Sequence, residues 1–125
     1  MKNISLEQLI QFHSKIVKAS GGLNGIRDIG MLESALRKAD STFDGKDLYE
    51  GAIKKITVIA YALIKNHGFV DGNKRIGVAM MLLLLRLNQI TVRYNQEELV
   101  ELGLRTAEGK FNEEHIEQWI REHQV

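Results

Sequence analysis

Residues 76–85 read IGVAMMLLLL. Coiled into a helix, that run is apolar on nearly every side, and a helix with no polar face has to be buried. It is well short of the roughly 20 residues needed to span a bilayer. The rest of the chain must therefore wrap around it. The spacing predicts this central helix from near Asn73 to about Asn88, with Met80 and Met81 in the core.

The remaining segments supply the wrapping. Ser5 with Gln8 has the pattern of a capping box, opening a helix to about Ala19. Leu9, Ile10, Phe12, Ile16 and Val17 form its buried stripe, and Gly21-Gly22 ends it. GGLNGIRD, 21–28, reads as a loop, with Arg27-Asp28 pinning it or capping the next helix. Asp28 can open a short helix over 29–39, with Leu32, Ala35 and Leu36 inward. DSTFDGKD, 40–47, is polar and reads as an exposed loop. Residues 48–66 follow the 3.6-residue period through Ile53, Ile56, Ala60, Leu63 and Ile64. TVRY, 91–94, is a short extended link. Asn95 with Glu98 is a second capping-box pattern, opening 96–107, and Asn112 caps a last helix over 113–123, packed by Trp119. No repeat, linker or low-complexity tract interrupts this order. The expectation is an all-α fold of about six helices, one domain over residues 1–125.

Composition narrows the function classes. The chain has 125 residues, so it can bury a core without staples. It has no cysteine, which excludes disulfides, zinc-thiolate sites and a cysteine nucleophile. Proline is absent too, which leaves the helices free to run. The net charge is only +1, against the strong basic bias of most nucleic-acid binders. MKNISLEQLIQFH lacks an apolar stretch long enough for a signal peptide. A soluble, cytoplasmic protein without direct nucleic-acid or membrane binding is expected.

The chemistry concentrates in residues 67–75, HGFVDGNKR. This loop leads into the N-terminus of the central helix, where unpaired backbone N–H groups and the helix dipole suit a phosphate. Gly72 leaves room for close approach. Asn73 can cap the helix or donate to an oxygen. Lys74 and Arg75 put two cations where the dipole opposes them, and a bound anion would compensate. Asp71, beside a phosphate, is a natural Mg²⁺ ligand. His67 is the one side chain here able to act as a base near pH 7. Phe69 is expected to plug into the core and hold the loop. The stretch is not a Walker A loop: only three residues separate Gly68 from Gly72, and Asn73 follows. Taken singly, His67 is a helix-terminal histidine, Asp71-Gly72-Asn73 a turn, and Lys74-Arg75 a solvated face. Only their combination points to a site. His13, His115 and His123 have no evident partners and read as structural or surface residues.

HGFVDGNKR resembles the signature of the Fic/Doc family, His-x-Phe-x-Asp/Glu-Gly-Asn-x-Arg, and GGLNGIRDIGMLESAL, 21–36, is similar to the upstream segment of the death-on-curing (Doc) proteins. The resemblance implies a compact helical bundle and a nucleotide-dependent transferase. It makes His67 the general base, Asp71 the Mg²⁺ ligand, Gly72 and Asn73 the anion-binding turn, and Arg75 the phosphate-binding arginine. Most Fic proteins transfer AMP from ATP to a hydroxyl. Here Lys74 stands where AMP-transferring members have a second glycine, and Val78 where they have a second arginine. Both departures match Doc-type toxins. Ile76 stands where Doc-type motifs have threonine.

For a Doc-type toxin the resemblance implies γ-phosphoryl transfer from ATP to a threonine of elongation factor Tu, which stops translation. It also implies a flap before the long helix that holds the target peptide, with Phe43 in 40–47 as a contact; the other reading is a mobile surface loop. Many Fic proteins carry an inhibitory Ser/Thr-x-x-x-Glu-Gly/Asn segment. Glu50-Gly51 and Glu108-Gly109 are the only Glu-Gly pairs, and Lys46 and Leu104 stand four residues before them. Restraint is therefore expected from outside the chain, and the resemblance to Doc-type toxins implies a cognate antitoxin. The alternatives are an AMP transferase and a catalytically silent helical interaction module.

Overall fold

The computed structural model describes residues 1–125. It contains α1 (Leu6–Ser20), α2 (Ile29–Arg37), α3 (Ala52–Asn66), α4 (Asn73–Leu87), α5 (Gln96–Ala107) and α6 (Glu113–His123). The one sheet is a two-residue-per-strand hairpin, β1 (Thr42–Phe43) and β2 (Lys46–Asp47). The fold is thus all-α, as the periodicity requires.

α3 and α4 lie side by side at the centre. Ile56, Ile59 and Leu63 of α3 meet Ile76, Met80, Met81, Leu84 and Leu85 of α4, all 2% exposed or less. Gly77 permits this approach. A Cβ there would collide with Ile64 and sit 3.1 Å from the Ala60 carbonyl. The other helices close the core with Leu9, Leu32, Leu99, Leu102, Ile116 and Ile120. The burial of α4 is not complete: Val78, Ala79 and Leu82 line a groove of about 430 Å³ against Leu99, Val100 and Gly103 of α5. No helix is long and apolar enough to cross a membrane.

Several boundaries differ from the sequence expectation for local reasons. The helix expected over 48–66 begins at Ala52, because Gly51 sits at φ 86°, outside the helical region. The helix expected over 29–39 ends at Arg37 and tightens into a 3₁₀ turn, Lys38–Asp40. The loop 40–47 is a hairpin: Asp44 (φ 54°) and Gly45 (φ 77°) take the left-handed conformations of a type I′ turn.

The capping expectations divide. Ser5 and Gln8 form the reciprocal box. Asn95 caps α5 by accepting from the Glu98 amide, but the Glu98 side chain does not return the bond. It pairs with His123 of α6 instead. The second reciprocal box belongs to Asn112 and His115. His115 and His123 therefore do have partners, and His123 also stacks on Trp119 at 4.0 Å.

Candidate active site

The loop between α3 and α4 is shaped by what it is tied to. His67 ends α3 in the left-handed conformation (φ 50°, ψ 50°), unusual for a residue with a Cβ. Arg27 holds it there. Its Nε donates to the His67 carbonyl at 2.6 Å and its Nη2 to the Asn66 carbonyl at 3.1 Å, satisfying the open end of the helix. The chain then runs antiparallel to 25–28. The amides of Arg27 and Asp28 donate to the Gly68 carbonyl, and the Val70 amide donates to the Gly25 carbonyl. Gly68 is confined: a Cβ would collide with Leu32. Both expected roles of Arg27-Asp28 are filled, since Asp28 also caps α2 by accepting from the Met31 amide.

Phe69 is the anchor expected of it, 1% exposed. Its ring lies flat against His13 of α1, 3.6 Å away and 4° from parallel. Asn73 braces the same residue: its Oδ1 accepts from the Phe69 amide and its Nδ2 donates to the Phe69 carbonyl, both at 3.0 Å. The Asn73 side chain is thus engaged inside the loop and buried. One Nδ2 hydrogen is not used by Phe69. The Asn73 backbone N–H, with those of Lys74 and Arg75, stays without an intrachain partner at the start of α4.

Asp71 and Arg75 face the end of α1. Asp71 Oδ2 accepts from the Leu23 amide at 3.1 Å, and Oδ1 accepts from the Gly72 amide at 2.7 Å. These two bonds, and then the nearby Arg75 charge, hold the carboxyl below the usual carboxylate range despite some desolvation. Arg75 donates to Ser20 Oγ and to the Gly21 carbonyl, each at 2.6 Å, and its Nη2 stands 3.8 Å from Asp71. The Arg75 charge is therefore compensated within the chain, by Asp71 and by the C-terminal end of α1. Compensation for this residue comes from within the chain, before any bound anion. Lys74 has no such partner. It is exposed, and its stem lies against Gly103 at the mouth of the α4–α5 groove.

The structure brings His67, Phe69, Asp71, Gly72, Asn73 and Arg75 into one tied loop, with Lys74 at its edge. The His67 ring is exposed and makes no hydrogen bond within the chain. Phe43 stands apart on the hairpin, 77% exposed. A Mg²⁺ ion fits as a ligand of Asp71 alone. Its carboxylate is ionised, 44% exposed, and each oxygen keeps a lone pair free. No three acidic, histidine or cysteine side chains cluster into a protein-only metal cage. Mg²⁺ commonly binds in this way, through one carboxylate with water and substrate phosphates.

Sequence reasoning missed His13, Ser20 and the Leu23 amide. His13 was open to detection. It falls four residues after Leu9 and four before Val17, on the buried stripe of α1, and a buried histidine needs a partner. It is fully buried, and Nε2 lies 2.6 Å from the Asp71 carbonyl.

The motif, its helix–loop–helix setting and the helical bundle define a family. The chain belongs to the Fic/DOC family, whose model matches residues 3–85. It is 29% identical over 124 residues to the protein named "Protein kinase doc" of Escherichia phage P1, covering 97% of this chain and 94% of that one. It is 35% identical over 72 residues to "Toxin Doc" of Mycolicibacterium smegmatis, covering 58% of this chain and 55% of that one.

Proposed function

We propose that the chain is a Doc-type toxin that transfers the γ-phosphoryl group of ATP to a protein hydroxyl. The observation that carries this reading is the tied loop itself: a free histidine ring, an ionised carboxylate and three unpaired helix-start amides, all set by contacts to α1 and the 21–28 segment. The relative from phage P1 is named a protein kinase. Lys74 and Val78, in place of the second glycine and second arginine of AMP transferases, favour the same choice.

The γ-phosphate lies against the amides at 73–75, with Lys74 adding charge from the edge. Mg²⁺, when bound at Asp71, neutralises charge on the phosphates. The target hydroxyl rests on His67. Its oxygen forms the new bond to the γ-phosphorus, the bond to the bridging oxygen of ADP breaks, and the hydroxyl proton passes to a ring nitrogen of His67. Arg27 keeps the His67 backbone in place. Arg75 acts first through Asp71 and the α1 end, which it joins. A positioned base is typically worth about 10²–10⁴ in rate.

The target is a threonine of a translation factor, with elongation factor Tu the first candidate, and the exposed hairpin carrying Phe43 is the surface for the target peptide. A cognate antitoxin restrains the enzyme. The 125 residues hold no Ser/Thr-x-x-x-Glu-Gly/Asn segment, and the α4–α5 groove beginning at Lys74 and Arg75 has the apolar floor that an amphipathic segment needs.

The test is labelling. Purified protein, Mg²⁺ and elongation factor Tu are incubated with ATP labelled at the γ- or the α-phosphate, beside His67→Ala. Label from the γ-phosphate alone, lost in a folded His67→Ala variant, is expected. Label from the α-phosphate would make the protein an AMP transferase. An active His67→Ala would remove the base assignment.

A further inference from the structure

The peptide between Asp71 and Gly72 can face two ways, and the local backbone does not choose between them. Gly72 sits at φ 76°, ψ 16°, and glycine adopts positive and negative φ about equally readily. In a planar trans peptide the C=O and N–H point to opposite sides. With the Asp71 carbonyl turned inward, the Gly72 N–H faces the Asp71 carboxylate and donates to it at 2.7 Å. Were the peptide to flip, that bond would be lost, and a carbonyl oxygen would face the turn where an anion is to sit.

His13 points to what settles the orientation. Its Nε2 is 2.6 Å from the Asp71 carbonyl, and a carbonyl only accepts, so Nε2 carries the proton. The ring is held because it lies flat on Phe69, whose backbone N–H and C=O are both bonded to Asn73. Packing alone does not call for a histidine here. Nδ1 is buried without a partner, and an apolar ring would fill the space without orphaning a nitrogen.

We propose that His13 is a positioning residue that locks the Asp71–Gly72 peptide inward, and so fixes both the Asp71 carboxylate and the anion-binding face at the start of α4. This rests on the reading of that face as the nucleotide phosphate site. His13 touches neither nucleotide nor target; it acts through the peptide.

The test compares wild type with His13→Phe, which keeps a flat ring against Phe69 but loses the donor, and His13→Gln, which keeps a donor. Thermal unfolding checks that each is folded. The orientation is read from the Asp71 carbonyl ¹³C shift and from hydrogen exchange at the Gly72 amide. Binding is read by calorimetry with MgATP and no target protein. In His13→Phe we expect a displaced carbonyl signal, amide exchange at least tenfold faster and MgATP affinity at least tenfold weaker, with His13→Gln recovering most of each. An unchanged carbonyl signal and affinity within twofold in a folded His13→Phe would overturn the proposal. If His13→Phe does not fold, His13→Gln decides: wild-type carbonyl and amide signals support the lock, and displaced ones refute it. Should wild type itself bind no MgATP, the nucleotide reading fails, while the carbonyl and amide signals still judge the lock.

Discussion

Replacing Asn73 by alanine separates two roles that the motif alone cannot distinguish. In the structure the Asn73 amide group is the sole partner of the Phe69 N–H and C=O, through two buried bonds of 3.0 Å. Alanine would leave both backbone groups buried and unpaired. Each costs about 1–3 kcal/mol, so the pair costs about 2–6 kcal/mol. Alanine's better helix propensity at the start of α4 returns roughly 0.5 kcal/mol. The net loss is about 1.5–5.5 kcal/mol, a large share of the ~5–15 kcal/mol typical of a domain. Urea unfolding followed by far-UV circular dichroism should show a lower midpoint with the slope unchanged. Asn73→Asp should fall between, since it keeps the acceptor for the Phe69 amide and loses the donor. Lys74→Ala, on an exposed side chain, should shift stability by less than about 0.5 kcal/mol. An Asn73→Ala protein within about 0.5 kcal/mol of wild type that nevertheless binds phosphate weakly would refute the bracing role and return the side chain to the ligand.

Other outcomes follow from contacts on the same scaffold. Arg27→Ala removes two bonds to the end of α3; it should cost about 1–2 kcal/mol and lower kcat of the proposed transfer more than it raises KM for ATP, measured by steady-state kinetics. Gly77→Ala should destabilise by about 1–3 kcal/mol through overpacking against Ile64, and a more stable variant in urea would show that α3 and α4 can part without cost. The Glu98–His123 pair gives a pH dependence. Burial opposes the imidazolium, but Glu98 and the Trp119 carbonyl outweigh it and raise His123 above its ordinary 6.5. The hydrogen bond from His123 lowers Glu98 below its ordinary 4.5. The His123 contribution is full below pH 6.5 and fades as pH rises through the raised value; that of Glu98 is full above pH 4.5 and fades as pH falls through the lowered one. Thermal unfolding should therefore find Glu98→Gln weakest relative to wild type between those two pH values, and closer to it at pH 9.

The fold was legible because it depends on period and on caps. IGVAMMLLLL demanded a central helix, and the caps at Ser5, Asp28, Asn95 and Asn112 opened helices where those residues stand. The start of α3 was missed because Leu48 and Tyr49 continue an apolar pattern that the Gly51 backbone interrupts. The hairpin was missed because two residues per strand are too few for an alternation to register. In the site, the sequence pattern named the loop residues but not their bonds. Asn73 and Arg75 carry polar groups suited to phosphate, and only the tertiary contacts reveal that Phe69, Ser20, Gly21 and Asp71 occupy them. The Leu23 amide could not be read at all, since a backbone donor has no letter of its own.

The ties of the loop also fix when it can take shape. His13 and Asp71 are 58 residues apart, Ser20 and Arg75 are 55 apart, Leu23 and Asp71 are 48 apart, and Arg27 and His67 are 40 apart. Each closure costs chain entropy that only the docked helices offset. During synthesis the α1 and 21–28 halves of every tie leave the ribosome well before their partners. A chain cut short of α4 holds no organised anion turn, and a free peptide of residues 67–75 would have neither the left-handed His67 nor the inward Asp71 carbonyl. Competence of this loop is a property of the docked helices and not of its nine residues alone.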